Sequence, residues 1–150
     1  MNVIILGCGR VGSTLARLMY RDGHNVTVID LLSESFRRLG TRFKGQRVIG
    51  NGIDEDVLKR AGIESCDVFI SCTQGDNRNI MSAQIAKVVY KVPKVMTRIN
   101  DPIRADAYRE LGIVTICGTT ILAGIMRDFI NTDQWTLEKD YNKEYIALNV

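Results

Sequence analysis

The sequence predicts an α/β fold: a doubly wound parallel sheet of six strands with helices on both faces. Apolar, β-rich runs alternate with amphipathic stretches six times along the chain, which is the pattern of β-α-β units around a parallel sheet. Runs such as Val3-Ile4-Ile5-Leu6 are also continuously apolar rather than alternating, as strands are when helices cover both faces of their sheet.

The first strand is placed at Asn2–Leu6. Val11, Leu15, Leu18 and Met19 follow at helical spacing and predict a helix that stops near Gly23. Asn25–Asp30, Arg47–Ile49 and Asp67–Cys72 read as the next strands. After the fourth, Met81, Ile85, Val88 and Val89 repeat the helical spacing. Pro93 then blocks helix continuation, and the last two strands fall at Lys94–Arg98 and Val114–Ile116. The final helix, about Thr119–Asn131, is unlike the others. Ile121, Leu122, Ile125, Met126, Phe129 and Ile130 spread over about half its circumference at ~100° per residue, whereas one sheet face needs a stripe of only ~100°. The surplus predicts a second partner, either another subunit or a further part of the same chain, with deep burial inside this domain as the competing reading. From Asn131 onward the composition turns polar and aromatic, and the sequence ends inside an apparent strand, Tyr145–Val150, which reads as a truncated chain.

At 150 residues, with 45% hydrophobic and 25% charged residues, the composition suits one globular domain that needs no disulfide or metal to hold its core. Twenty Lys and Arg against 17 Asp and Glu leave a net charge of +3, too small and too mixed to point to nucleic acid. No run approaches the ~18 apolar residues of a bilayer span. The start has no basic region ahead of its apolar run, so no secretory signal is expected and the reading is cytoplasmic. The four cysteines form no C-x-x-C pair and His24 is the only histidine, so no zinc site is expected.

The first strand runs directly into Gly7-Cys8-Gly9-Arg10-Val11-Gly12, and Asp30 closes the second strand 18 residues beyond Gly12. A glycine-rich turn between strand and helix, followed by an acid at the end of strand two, is the dinucleotide-binding context, so the sheet reads as Rossmann-like. Gly7 permits the tight turn, Gly9 lets backbone N–H groups approach a phosphate, Gly12 lets the helix pack near the strand, and the helix N-terminus supplies an anion site. Asp30 is expected to accept hydrogen bonds from ribose hydroxyls and to repel a 2′-phosphate, favouring NAD or another unphosphorylated adenosine over NADP. Arg10 reads either as a phosphate ligand or as a solvated side chain at the helix edge. Asn51, Gly52 and Ile53 follow the third strand and Thr73 and Gln74 the fourth, both at the carboxyl edge where such sheets bind ligands. Asn51 is a candidate for an adenine edge, and Thr73 and Gln74 for ribose or phosphate; the alternative is ordinary turns with Asp54 and Asp76 as helix N-caps. Arg98, at the end of the fifth strand, points either to this edge or to a salt bridge with Asp101 or Asp106. Cys8, Cys72 and Cys117 each follow a strand, but without a C-x-x-C or a nearby base they read as packing rather than redox groups. His24 reads as a surface residue. No acid, base and nucleophile set is visible, so the chain reads as a binder rather than an enzyme.

On these residues the chain resembles the RCK, KTN or TrkA-N nucleotide-binding regulatory domains of potassium channels and Trk/Ktr-type uptake systems. The resemblance runs from about Met1 to Asn131. It is carried by the glycine turn, Gly23–Asp30, Gly50–Leu58, Asp76-Asn77-Arg78-Asn79-Ile80 and Thr97-Arg98-Ile99-Asn100-Asp101-Pro102. It implies a non-enzymatic regulatory subunit that binds ATP, ADP, AMP or NAD(H) and gates potassium transport through an integral-membrane channel or transporter. It also implies homodimers assembling into a larger ring at the inner face of the cell membrane, with no nucleic acid and no direct membrane insertion. By resemblance the glycines with Arg10, Asp30, the Asn51 segment, Thr73 and Arg98 hold the nucleotide. An arginine at the Arg10 position looks like the ATP-responsive branch, and the last helix is similar to the crossover helix that packs on a partner subunit. Asn51 departs from the aspartate that many members carry there. Residues 1–131 would then be the nucleotide-binding domain, and 132–150 a linker or the start of a truncated C-terminal lobe. The alternatives are the cofactor-binding half of an NAD-dependent oxidoreductase and a stand-alone NAD/NADH sensor regulating transcription, the latter lacking any recognisable DNA-reading helix.

Overall fold

The structure is a computed structural model and describes residues 1–132. Six strands, β1 (Asn2–Leu6), β2 (Asn25–Asp30), β3 (Gln46–Ile49), β4 (Val68–Ser71), β5 (Lys94–Arg98) and β6 (Val114–Ile116), form one sheet in the order β3-β2-β1-β4-β5-β6. Every neighbouring pair is parallel. The winding reverses between β1 and β4, so the switch point of a doubly wound sheet lies at their carboxyl ends. The helices are α1 (Arg10–Arg21), α2 (Glu55–Arg60), α3 (Asp76–Gln84), α4 (Pro102–Glu110) and α5 (Gly118–Thr132).

Strand alternation splits the core in two. Ile4, Leu6, Ile29, Val48, Phe69 and Val95 face one way and meet Val57 and Leu58 of α2 and Ala83 of α3. Val3, Ile5, Val26, Val28 and Ile70 face the other way, against Ala16 and Leu15 of α1 and against Leu39 and Phe43. Continuous apolar strands are thus covered on both faces, as expected. The second face is covered only in part: Val114 and Ile116, in register with Met96 and Arg98, remain exposed.

Three local expectations need correction. Strand three begins one residue earlier than Arg47, at Gln46, and a 3₁₀ helix, Ser33–Leu39, connects it to β2. Strand four is shorter by one residue at each end than Asp67–Cys72. Met81, Val88 and Val89 do not face the sheet; they are exposed, Val88 at 61%, while Asn79, Ile80, Ser82, Ala83 and Ala86 are buried. The sheet under α3 presents the hydroxyls of Ser71 and Thr97, which need polar partners, so Asn79 and Ser82 turn inward beside Ile80 and Ala83 while Met81 turns outward. Helix α3 also runs on as a π-helical turn, Ile85–Val89, which breaks the 3.6-residue period.

Helix α5 is not deeply buried among the described residues. Ile121, Leu122, Met126, Phe129 and Ile130 are all exposed, Ile130 at 78%. The expectations for 132–150 lie outside the described residues, except that Thr132 closes α5.

Candidate functional site

The chain leaves β1 through Gly7 at φ +101°, a left-handed conformation that disfavours any other residue. Gly7 N–H donates to the Ile29 carbonyl at 2.8 Å, tying the turn to β2. A Cβ on Gly12 would overlap the Gly7 carbonyl oxygen and lie 3.0 Å from Cys72 Sγ. Gly7 and Gly12 are therefore demanded by the protein itself. Gly9 is not: its φ of −73° and ψ of −166° suit any residue, and a Cβ there meets nothing within 4 Å. The space beside Gly9 opens onto the first turn of α1, where neither a side-chain cap nor an acidic residue is present. By contrast, Asp54 caps α2, accepting from Asp56 N–H at 2.9 Å, and Asp101 caps α4, accepting from Ile103 N–H at 3.0 Å. The N-terminal amides of α1 form an electropositive helix end that no side chain caps among the described residues.

Asp30 stands beside this turn. Its Oδ2 accepts from Cys8 N–H at 2.6 Å and its Oδ1 from Leu32 N–H at 2.9 Å, which fixes the carboxylate while leaving each oxygen a lone pair for a further donor. Cys8 supports the site from within. Its amide is committed to Asp30, and its thiol donates to the Ser35 carbonyl at 3.3 Å. Burial and the nearby Asp30 charge push the Cys8 thiol up to about 11. Burial likewise pushes Cys72 up to about 11. Both are therefore held in the thiol form at neutral pH.

The β3 loop brings Asn51 half-buried to the same edge, its Oδ1 accepting from Ile53 N–H at 3.4 Å. Gly52 lies beneath, and a Cβ there would run into the Leu6 side chain. Its glycine is required by packing under the site. Arg10, Val11, Ile53 and Gln74 are exposed on the rim.

At the end of β4, Thr73 packs so closely on the glycine turn that a Cβ on Gly7 would sit 3.0 Å from its amide nitrogen. Arg98 Nη2 donates to the Thr73 carbonyl at 2.9 Å, so Arg98 lies at this edge and neither alternative salt bridge forms. Asp101 is the α4 cap, and Asp106 pairs with Arg109 at 2.6 Å. Arg98 Nε is buried with no acceptor among the described residues. Asp76 is likewise not an N-cap. It is the first residue of α3, and its carboxylate accepts from the amides of Asn100 and Asp101 at 3.0 and 3.1 Å. His24 lies half-buried in the turn from α1 to β2, away from this edge.

Asn79 went unrecognised as a site residue. It is fully buried, and its amide ties Thr73 to the end of β5. A polar residue on an otherwise periodic helix reads as solvent-facing, so the only signal was its place in the Asp76–Ile80 motif.

The residues on this edge suit a nucleotide: open space at Gly9, uncapped helix amides and a fixed carboxylate. The TrkA-N domain family model matches residues 3–119. The chain is 49% identical over 116 residues to the Trk system potassium uptake protein TrkA of Streptomyces coelicolor, covering 77% of this chain and 52% of that protein. It thus spans about half the length of that relative. Among solved structures, the Kef C-terminal domain of Shewanella denitrificans in its AMP-bound form superposes with a TM-score of 0.75 at 20% identity, over 99% of this chain and 93% of that one. GsuK bound to ADP gives 0.75 at 19% identity, over 89% of this chain and 34% of that one. At those identities the structures speak for the fold, and the family match speaks for the lineage: the chain belongs to the TrkA-N domain family.

Proposed function

We propose that this chain is a non-catalytic regulatory domain that binds an adenine nucleotide, ATP, ADP, AMP or NAD(H), and gates potassium transport through a membrane partner. The observation that carries the reading is Gly9. Neither backbone strain nor any neighbouring atom requires glycine there, yet it is the N-cap residue of α1, whose first turn has no side-chain cap and no acidic residue. A phosphate approaching the helix amides accounts for that space. Asp30 would take the ribose hydroxyls, Asn51 the adenine edge and Arg10 the phosphates, with Arg98 holding the far end of the nucleotide.

The transport role is supported by the potassium-uptake relative, and the nucleotide by the AMP- and ADP-bound neighbours. A homodimer, built up into a ring, is supported by the exposed apolar side chains of α5 and by the bare Val114 and Ile116 on the sheet. Among the described residues no helix is long and apolar enough to cross a membrane, which suits a subunit held at the cytoplasmic face by its partner. The gating energy is the difference in nucleotide affinity between the states of the assembly.

Calorimetric titration of the nucleotide-free chain with ATP, ADP, AMP, NAD and NADH tests this, repeated on Arg10→Ala and Asp30→Ala. Binding that weakens in both variants, with Arg10→Ala erasing a difference between ATP and ADP, is the expected result. Binding of NAD and NADH alone, unaffected by Arg10→Ala, together with hydride transfer to a substrate, would replace this reading with the oxidoreductase one.

A further inference from the structure

We propose that Asn79, which touches no ligand, makes Thr73 an acceptor-only position, so that Thr73 receives a sugar hydroxyl of the bound nucleotide and turns away phosphate. This deepens the nucleotide-binding reading and rests on it.

The assignment follows from which atoms can donate. Asn79 Nδ2 lies 3.0 Å from the Thr73 carbonyl and 2.9 Å from the Arg98 carbonyl. Carbonyls only accept, so the nitrogen of the amide must be on that side, and both of its hydrogens are used. Asn79 Oδ1 then accepts from Thr73 N–H at 2.8 Å. The same oxygen lies 2.7 Å from Thr73 Oγ1. Two oxygens at that distance with no proton between them repel, and Oδ1 has none to give, so the Thr73 hydroxyl proton points at Asn79. The amide is also held in place. The Asn79 carbonyl accepts from Ser71 Oγ at 2.8 Å and Ser82 Oγ at 3.0 Å, and Ser71 Oγ is bonded to Thr97 Oγ1 at 2.7 Å. All of these groups but Thr73 and Arg98 are fully buried.

Thr73 therefore has spent its amide hydrogen and its hydroxyl hydrogen on Asn79, and its carbonyl on Arg98 and Asn79. What remains at the rim is the hydroxyl oxygen, one lone pair of which meets Gly75 N–H at a loose 3.4 Å. That oxygen welcomes an O–H and is repelled by an anionic phosphate oxygen. Its place along the edge says which hydroxyl. Asp30 ends β2, the glycine turn ends β1 and Thr73 follows β4, in that spatial order. At ~4.8 Å per strand, Thr73 lies about 10 Å past Asp30, with the phosphate site between them. The hydroxyl it meets thus belongs to a group carried beyond the diphosphate, as in ADP-ribose or a dinucleotide.

The test is calorimetric titration of the chain, Thr73→Val and Thr73→Ser with ADP, ADP-ribose and ATP. In the unsubstituted chain ADP-ribose is expected to bind more tightly than ADP. Thr73→Val, which keeps the shape and removes the acceptor, should cost ADP-ribose about fivefold to tenfold and leave ADP unchanged, while Thr73→Ser restores the preference. Losses that follow phosphate number, greatest for ATP, would overturn the assignment, as would an unchanged preference for ADP-ribose in Thr73→Val. Both outcomes leave the adenine-nucleotide reading intact. Failure of all three ligands to bind the unsubstituted chain would instead remove that reading, and this one with it.

Discussion

Replacing Gly9 and Gly12 separately by alanine divides what the turn needs for folding from what it needs for a ligand. At Gly12 the added methyl group overlaps the Gly7 carbonyl oxygen and presses on Cys72 Sγ at 3.0 Å. Backbone is on one side and a buried thiol on the other, so the helix must shift away from β1. Overpacking of this kind costs roughly 1–3 kcal/mol, or a fall of about 2–12 °C in the melting temperature of a chain this size. At Gly9 two small effects oppose each other. Alanine reduces the freedom of the unfolded chain, stabilising by about 0.4–1 kcal/mol, and it is a poorer N-cap than glycine by a similar amount. The melting temperature of Gly9→Ala should stay within about 3 °C of the original. Its methyl group, however, stands in the open space where a phosphate approaches the helix amides. Losing one charge-assisted hydrogen bond costs about 1.5–3 kcal/mol, or roughly 10- to 150-fold in affinity. Thermal unfolding without nucleotide, followed by calorimetric titration with ADP, reads both quantities. If Gly9→Ala binds ADP as well as the original chain does, phosphate does not approach at Gly9 and the account of the site is wrong. If it melts as early as Gly12→Ala, the distinction between the two glycines is wrong.

Other outcomes follow from the same structure. Asn79→Ala leaves the Thr73 amide and the Arg98 carbonyl without their partner and should destabilise the fold by at least about 2–3 kcal/mol, read as a lower urea midpoint. Asp54→Ala and Asp101→Ala each remove an N-cap and should cost about 1 kcal/mol, checked by the same measurement. Cys8 and Cys72 are protonated more tightly when folded than when unfolded, with pKa raised from 9.0 to about 11. Stability is therefore expected to be insensitive to these groups below pH 9 and to fall between pH 9 and 11, as urea midpoints measured across that range would show. At pH 8 both thiols should react with iodoacetamide far more slowly than cysteine in an unfolded peptide. Serine at Leu122 and Met126, both exposed on α5, should leave monomer stability within about 0.5 kcal/mol yet reduce the molar mass seen by light scattering.

The strands and the glycine turn were legible because their signals are local. A continuous apolar run bounded by turn residues specifies a buried parallel strand, and the Gly7–Gly12 spacing with Asp30 specifies a turn, a helix start and an acid at neighbouring strand ends. Met81, Val88 and Val89 misled because hydrophobic periodicity shows which face of a helix is apolar and not which face meets the sheet. Where the sheet presents Ser71 and Thr97, the inward face of α3 carries Asn79 and Ser82 beside Ile80 and Ala83. The alternative readings, Asp76 as an N-cap and Arg98 in a salt bridge, fail for a related reason. Each has near neighbours in sequence that could satisfy it, yet each is satisfied by a loop that follows a different strand. Asn79 was hidden because three of its four side-chain hydrogen bonds close the turn at Thr73 and the fourth reaches the Arg98 carbonyl 19 residues on, a link that exists only once β4 and β5 lie side by side.

The root of α5 is fastened to the same edge. Thr119 Oγ1 and Cys117 Sγ both donate to the Asn100 carbonyl, at 2.8 and 3.5 Å, and the Asn100 amide donates to Asp76 at the start of α3. The 15 residues of α5 extend about 22 Å from this anchor at ~1.5 Å per residue. The helix is a lever pivoted at the strand ends: a 5° tilt at Gly118 moves its far end by about 2 Å, so a displacement at the pivot smaller than one bond length becomes a step large enough to re-register side chains on whatever α5 packs against.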